Sequence, residues 1–154
     1  MKALLLMPLH ESSEYAAMNL MVELGKRGYE ALSVPSYANY LKEVGLAHNF
    51  EQSIFMALVT AEDWARNTPD CIVIGNCIKK VPFDVILNIN VYHEEGEPLQ
   101  DLQVAKLQEL YGNDVDLGSI VNHLYTTADG EYSAGGSIEQ IADLVVNLCQ
   151  AKSN

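Results

Sequence analysis

Basic residues are scarce in this sequence. It has 9 Lys and Arg against 21 Asp and Glu, which gives a formal net charge of -12 at pH 7. Proteins that bind nucleic acid or anionic membranes normally contact phosphates through Lys and Arg, so this shortage argues against both kinds of partner. A small nucleotide stays open as a ligand, because backbone amides at a helix N-terminus bind a phosphate without any basic side chain.

Cysteines and long apolar runs are also few. Cys71, Cys77 and Cys149 are widely spaced, which argues against a disulfide framework. No apolar run approaches the roughly 20 residues that a transmembrane helix needs. The apolar segment from Ala3 to Leu9 is not followed by the cleavage pattern of a signal peptide. We therefore expect a cytoplasmic protein with no membrane partner.

Several motifs of nucleotide-binding proteins and hydrolases are absent. The sequence has no G-x-x-x-x-G-K-[ST], which excludes a P-loop NTPase, and no G-x-G-x-x-G after the first predicted strand, which disfavours an ordinary dinucleotide fold. It also lacks the G-x-S-x-G nucleophile elbow and the H-E-x-x-H zinc motif. We therefore predict no cofactor and no metal site.

The sequence does contain an alternation of apolar strands and amphipathic helices. Residues Lys2 to Leu9 form a near-continuous apolar run, which is typical of a central strand covered on both faces. Ala17, Leu20 and Leu24 follow at helical spacing, and residues 29–34 have the composition of a second strand. A strand, a helix and a strand in this order predict a parallel crossover.

The same alternation continues to the end of the chain. We predict, in order, a short helix over 36–44, a helix from Asn49, a strand over 71–75, a strand over 83–91, a helix from Pro98 to Gly112, and a terminal helix from Ser137. The strand over 83–91 follows its predecessor too soon for a helical crossover, so it is either antiparallel or reached by a loop over 78–82. Residues 120–127 fit a strand, although 117–124 also fit a short helix.

The helix ends carry recognisable signals. Gly28 and Gly45 are placed to end the first two helices. Gln52 follows Asn49, and Gln140 follows Ser137, at the spacing of a capping box. The apolar residues predicted to share the buried face of the helix from Asn49 are Phe50, Ile54, Leu58, Ala61 and Ala65.

These elements predict one α/β domain over residues 1–154. We expect a three-layer sandwich of the Rossmann-like or flavodoxin-like type, with helices on both faces of a mostly parallel sheet of four to five strands. The carboxyl ends of such strands are where open parallel sheets bind ligands. The candidate ligand-binding residues after predicted strands or before helices are Pro8, His10, Ser12, Ser13, Asn76, Asn90, Gly135 and Gly136.

Each group of candidates also has an ordinary structural interpretation. His10 and Glu11 come before a helix N-terminus, where amides could hold an anion, but they could equally serve only to start the helix. Glu94 and Glu95 are candidate carboxylates on a polar loop, although neighbouring loop residues diverge in direction and suit a solvated role. Gly135 could form a phosphate nest with Gly136, or a flexible turn before Ser137.

Three stretches resemble the nucleoside 2-deoxyribosyltransferase family. They are Leu4-Leu-Leu-Met-Pro-Leu-His-Glu-Ser-Ser-Glu14, Leu24-Gly-Lys-Arg-Gly-Tyr29 with Val34-Pro35, and Glu62-Asp-Trp-Ala-Arg-Asn-Thr-Pro-Asp-Cys-Ile-Val-Ile-Gly75. The resemblance implies a nucleoside ligand and N-glycosidic chemistry. That family carries its nucleophilic Glu on a helix after the third strand, in a Glu-Leu-Gly context, and residues 76–82 leave no room for it. If this chain has the N-glycosidic chemistry of that family, a carboxylate elsewhere in the sequence has to act as the nucleophile.

Two hypotheses of different classes follow. The first is a binding or regulatory domain for a nucleoside or nucleotide, assembled as a homo-oligomer. The second is a nucleoside-processing enzyme that cleaves or exchanges an N-glycosidic bond, with Glu11, Glu94 or Glu95 as nucleophile or base. The first predicts binding without turnover, and the second predicts a product.

Overall fold

The computed structural model describes residues 1–7, 14–76, 78, 81–92, 109, 120–127 and 137–153. Within these residues the chain forms five strands and four helices. The strands are β1 (Lys2–Leu6), β2 (Ala31–Ser33), β3 (Cys71–Gly75), β4 (Val85–Tyr92) and β5 (Ile120–Thr127). The helices are α1 (Glu14–Lys26), α2 (Val34–Glu43), α3 (Phe50–Asn67) and α4 (Ile138–Ser153).

The five strands form one parallel sheet in the order β2-β3-β1-β4-β5. β1 lies in the middle, where Leu4 pairs with Val73 of β3 on one side and with Ile86 of β4 on the other. The predicted Rossmann-like α/β sandwich with four to five strands is therefore confirmed, and all of the described strands are parallel.

The two faces of the sheet carry separate apolar clusters, because successive side chains of a strand point to opposite faces. Leu5 of β1 lies in a buried cluster with Leu20 of α1 and Val145 of α4. Its neighbour Leu4 lies in the other cluster, with Ala57 of α3. Helices cover both faces of β1, which explains why its sequence is apolar at nearly every position.

Only residues 76–84 connect β3 to β4. β4 nevertheless pairs parallel with β1, which is itself parallel to β3. The prediction that this strand could be antiparallel is therefore wrong, and the loop alternative is correct. Ile78 and Val81 are buried in the second cluster, where their side chains take the place of a crossover helix. The loop ends where the Asp84 amide donates to the Lys2 carbonyl oxygen, at a distance of 2.8 Å.

The predicted helix ends agree with the structure. Gly28 and Gly45 adopt φ angles of 85° and 78°, in the left-handed region that favours glycine. The Asn49 side chain accepts from the Gln52 amide at 2.8 Å and caps α3. Ser137 and Gln140 form the full reciprocal capping box before α4, with distances of 3.2 and 3.3 Å.

The predicted bounds of two elements were wrong, and one open alternative is now decided. β2 is shorter than predicted, and α2 begins at Val34 rather than at residue 36, because Ser33 caps it directly after the strand. Residues 120–127 form a strand and not the alternative helix. The helix predicted from Pro98 to Gly112 lies outside the described residues, apart from the helical Glu109.

The buried face of α3 agrees with the prediction only at Ala61 and Ala65. Its buried residues are Ser53, Ala57, Ala61 and Ala65, whereas Phe50, Ile54 and Leu58 are half-buried. No described helix is both long enough and apolar enough to cross a membrane.

Candidate functional site

The carboxyl ends of β1 and β3 lie side by side at one edge of the sheet, which we call the carboxyl edge. The helix α1 follows β1 and packs on the face of the sheet that carries Leu5. The segment after β3 buries Ile78 and Val81 on the opposite face, which carries Leu4. In open parallel sheets, ligands bind between neighbouring strands whose connections leave to opposite faces. The carboxyl edge between β1 and β3 is therefore the candidate site.

The backbone at this edge is tightly packed. The Met7 amide donates to the Gly75 carbonyl oxygen at 2.7 Å, which continues the pairing of β1 with β3 past the end of the strands. A Cβ on Gly75 would lie 2.8 Å from Cβ of Val34, so the end of β3 lies directly against the first turn of α2. Asn76 is the next residue beyond this contact, and it is half-buried.

The start of α2 brings two hydroxyl groups to the carboxyl edge. Ser33 is fully buried, and its Oγ accepts from the Ser36 amide at 3.3 Å and donates to the Ser36 Oγ at 2.9 Å. Pro35 lies in the first helical turn, where its missing amide hydrogen costs no helical hydrogen bond. The cap fixes the start of α2 beside the end of β3.

A hydrogen bond joins α1 to α2 beside the same edge. The Asn39 side-chain amide of α2 donates to Oε1 of Glu14, the first residue of α1, at 3.0 Å. The same amide donates to Glu43 at 3.3 Å. This contact holds a carboxylate at the start of the helix that follows β1.

Two of the predicted ligand-binding residues belong to described elements. Asn76 lies at the carboxyl edge, as predicted. Asn90 lies in β4, where its backbone pairs with Tyr125. Because Asn88 pairs with Leu6 at the end of β1, Asn90 lies further along β4 in the direction of the carboxyl edge.

The other predicted site residues lie outside the described residues. They are Pro8, His10, Glu11, Ser12, Ser13, Glu94, Glu95, Gly135 and Gly136. The described residues that flank them are Met7 at the end of β1, Glu14 at the start of α1, Tyr92 at the end of β4 and Ser137 at the cap of α4. Among the described residues, no group of three or more His, Cys, Asp or Glu side chains could hold a metal ion.

Sequence reasoning missed the contact between Glu14 and Asn39. Glu14 could be interpreted only as an acidic residue in a first helical turn, and nothing in the sequence pairs it with an Asn that lies 25 positions later. The hydroxyl pair of Ser33 and Ser36 had a clearer signal, because a Ser before Pro35 is a common helix N-cap.

The opposite edge of the sheet, at the amino ends of the strands, holds two thiols beside a cavity of about 400 Å³. Cys71 begins β3 and Cys149 lies in α4, and both are buried. Burial raises the pKa of both thiols, so they are neutral at physiological pH. Neutral buried thiols are inert, and we assign them no catalytic role.

No protein-family model matches this chain, and no curated protein matches its sequence. The solved structures that are weakly similar to it include the following two. The tunicamycin resistance protein of Deinococcus radiodurans is 11% identical with a TM-score of 0.42, over 97% of this chain and 95% of that chain. Shikimate kinase from Bacteroides thetaiotaomicron is 12% identical with a TM-score of 0.44, over 97% of this chain and 98% of that chain. Similarity at this level supports no conclusion about ligand or activity.

Proposed function

We propose that this chain is a binding or regulatory domain that holds a nucleoside or nucleotide at the carboxyl edge of its sheet. The observation that carries the proposal is the arrangement of β1 and β3, which are neighbours whose connections leave to opposite faces of the sheet. This is the position at which open parallel α/β sheets bind ligands.

The polar groups described at this edge suit a nucleoside. Ser36 offers a hydroxyl, Asn39 and Asn76 offer amides, and Glu14 offers a carboxylate. Amides and hydroxyls both donate and accept hydrogen bonds, so they can pair with ring nitrogens and sugar hydroxyls. A net charge of -12 disfavours a ligand that carries several negative charges. We therefore expect nucleosides and monophosphates to bind more tightly than triphosphates.

A thermal-shift screen against nucleosides, nucleotides, nucleotide sugars and flavins tests the proposal. A ligand that binds only the native state raises its stability by RT ln(1 + [L]/Kd), so a hit appears as a higher Tm. We expect a shift with at least one nucleoside or nucleoside monophosphate. No shift with any compound of the panel contradicts the proposal.

A pair of Asn variants locates the binding site. Asn76→Ala is expected to weaken binding by about three- to tenfold, which corresponds to the loss of one neutral hydrogen bond. The control is Asn67→Ala at the end of α3, where the side-chain amide donates to the Asp63 carbonyl oxygen at 2.8 Å. Asn67 precedes β3 and so lies toward the opposite edge. Equal loss of affinity in the two variants places the ligand elsewhere.

Incubation of a bound nucleoside separates this proposal from the enzymatic alternative. Binding without release of the free base supports a binding domain. Release of the base, or its exchange for another, favours a nucleoside-processing enzyme in which Glu11, Glu94 or Glu95 supplies the carboxylate. Replacing each of the three with Gln then identifies the residue on which turnover depends.

A further inference from the structure

A hollow of about 550 Å³ lies beside β2, and we call it the β2 hollow. It is lined by Met21 and Gly25 of α1, by residues 28–32, and by Trp64 of α3. Among the described strands, β2 pairs only with β3. The β2 hollow therefore lies at an outer edge of the described sheet, where one helix from each face borders it.

The β2 hollow reaches round this edge from one face of the sheet to the other. Tyr29 packs against the buried cluster that contains Leu5, whereas Trp64 packs against the cluster that contains Leu4. Both aromatic side chains line the hollow. An aromatic residue from each face of the sheet therefore borders the same space.

The local sequence keeps the β2 hollow open. Gly25 and Gly28 border it, and a Cβ on either glycine would have no atom within 4 Å. β2 covers only the three residues Ala31–Ser33, and so short an edge strand discourages pairing with a further strand. The volume lies within the range of about 300 to 1,000 Å³ that is usual for small-molecule sites. Size and shape therefore suit a small molecule.

The lining of the β2 hollow is apolar and aromatic, with one charged side chain. Its half-buried side chains include Met21, Tyr29, Leu32 and Trp64. Glu30 supplies an exposed carboxylate, and none of the described residues that line the hollow is basic. Tryptophan and tyrosine rings attract cations, and the thioether of methionine is polarisable and adapts to the shape of a ligand. This combination favours a cation with an apolar surface.

The basic residues closest in sequence to Gly28 are paired with carboxylates other than Glu30. Lys26 Nζ donates to Glu23 Oε1 at 2.8 Å. Arg27 donates to Glu23 Oε2 and to Asp143 Oδ1, both at 2.8 Å. The positive charges beside the β2 hollow are therefore matched by their own partners.

We propose that the β2 hollow is a binding site for small organic cations that carry a methylated ammonium group. The methyl groups pack on the apolar walls, and the positive charge lies among the aromatic side chains and the carboxylate of Glu30. The net charge of -12 also favours the approach of a cation. Residues 28–30 precede β2, so the hollow lies toward the amino ends of the strands and is separate from the carboxyl edge.

Tryptophan fluorescence tests the proposal, because Trp64 is the only tryptophan of the chain. Titration with choline and with benzyltrimethylammonium is expected to give a saturable change in its emission. Neohexyl alcohol is the uncharged analogue of choline, with carbon in place of nitrogen. It should bind at least about tenfold more weakly, because it lacks the attraction of a cation to aromatic rings. No saturable change with either cation, or equal affinity for neohexyl alcohol, would overturn the proposal.

A blocking variant locates the bound cation. Gly25→Leu adds a side chain in the open space of the β2 hollow and should weaken binding at least about tenfold. The matched control is Val22→Leu, at a 49% exposed position of α1 that does not line the hollow, and it should leave the affinity unchanged. Circular dichroism checks that both variants are folded. Wild-type affinity in folded Gly25→Leu would place the cation elsewhere and overturn the proposal.

A charge variant tests the role of the carboxylate. Glu30→Gln should weaken binding by about threefold, which is the usual effect of losing one exposed ion pair. Glu51→Gln removes an exposed carboxylate from the start of α3, away from the β2 hollow, and should have little effect. An equal loss of affinity in the two variants would show a general effect of net charge and would overturn the assigned site.

Discussion

Val34 lies so close to Gly75 that a Cβ at position 75 would be 2.8 Å from Cβ and 2.9 Å from Cγ2 of Val34. The contact joins the first turn of α2 to the last residue of β3, and the candidate site lies beside it. Val34 is fully buried and branched at Cβ, so it has little freedom to move aside. Glycine at position 75 therefore sets how closely α2 approaches the carboxyl edge.

Gly75→Ala is expected to lower the free energy of unfolding by about 2 kcal/mol, the usual cost of overpacking a core. The control is Gly25→Ala in α1, where a Cβ has no atom within 4 Å. That variant should raise stability by about 0.5 kcal/mol, because alanine is the better helix former. Urea denaturation measures both. A Gly75→Ala variant as stable as wild type would show that Val34 moves aside without loss of stability.

The contacts of the Glu23 carboxylate predict that the stability of the folded protein depends on pH. Hydrogen bonds from Lys26 and then from Arg27 lower the pKa of Glu23 below its ordinary value of 4.5. The ionised carboxylate therefore stabilises the folded state above about pH 4.5, and this stabilisation is lost as the pH falls through the lower pKa of the folded state. Glu23→Gln should be less stable than wild type at neutral pH, and the difference should disappear in acid.

Urea denaturation of wild type and Glu23→Gln at several pH values checks this prediction. Glu30→Gln, at an exposed position, is the control and should differ little from wild type at every pH. The contact network also includes Asp143 of α4, whose carboxylate accepts from Arg27 Nε at 2.8 Å. A difference between Glu23→Gln and wild type that stays constant from neutral to acid pH would contradict the assigned cause.

Cys71 and Cys149 are expected to resist alkylation in the native protein. They are 3% and 1% exposed, and burial raises the pKa of both thiols. Iodoacetamide reacts with thiolates, so both residues should be labelled only after unfolding. Peptide mass spectrometry reports each cysteine separately, including Cys77. Rapid labelling of Cys71 or Cys149 without denaturant would show that the sheet opens in the native state at the amino ends of its strands.

Ser137 is expected to stabilise α4 through its cap. Its Oγ accepts from the Gln140 amide at 3.2 Å. Ser137→Ala should lower the free energy of unfolding by about 1 kcal/mol, because the amide loses its acceptor. Ser137→Asp keeps an acceptor and adds a favourable charge at the helix N-terminus, so it should stay close to wild type. Equal losses in the two variants would rule out a capping role.

Much of the fold could be predicted from the sequence, because burial on both faces leaves a direct signal. β1 and β3 are continuous apolar runs, and β3 has the predicted bounds Cys71–Gly75. Helix ends could be predicted for the same local reason, since Gly28 and Gly45 hold backbone angles that other residues rarely adopt. These features depend on neighbours in sequence.

The remaining features depend on contacts between distant residues. The sequence predicts the buried face of α3 only in part, because apolar residues surround most of the helix. Ala61 is buried as predicted, whereas close packing also buries Ala57 and leaves the larger Ile54 half-buried. The direction of β4 depends on Ile78 and Val81 filling the place of a crossover helix, and no periodicity signals such a loop. Within the candidate site, the sequence predicts the position of Asn76 at the carboxyl edge. The hydrogen bond between Glu14 and Asn39 depends on the packing of α1 against α2, which the sequence does not show.

Amide chemical-shift mapping during a nucleoside titration shows whether a nucleoside-type ligand binds at the carboxyl edge. We predict saturable shifts centred on Met7, Ser36, Asn39 and Asn76, with little change at Tyr29 and Asp70 beside the opposite cavity. Shifts centred on Tyr29 and Asp70, or no saturable shift with any nucleoside or nucleotide, would contradict it.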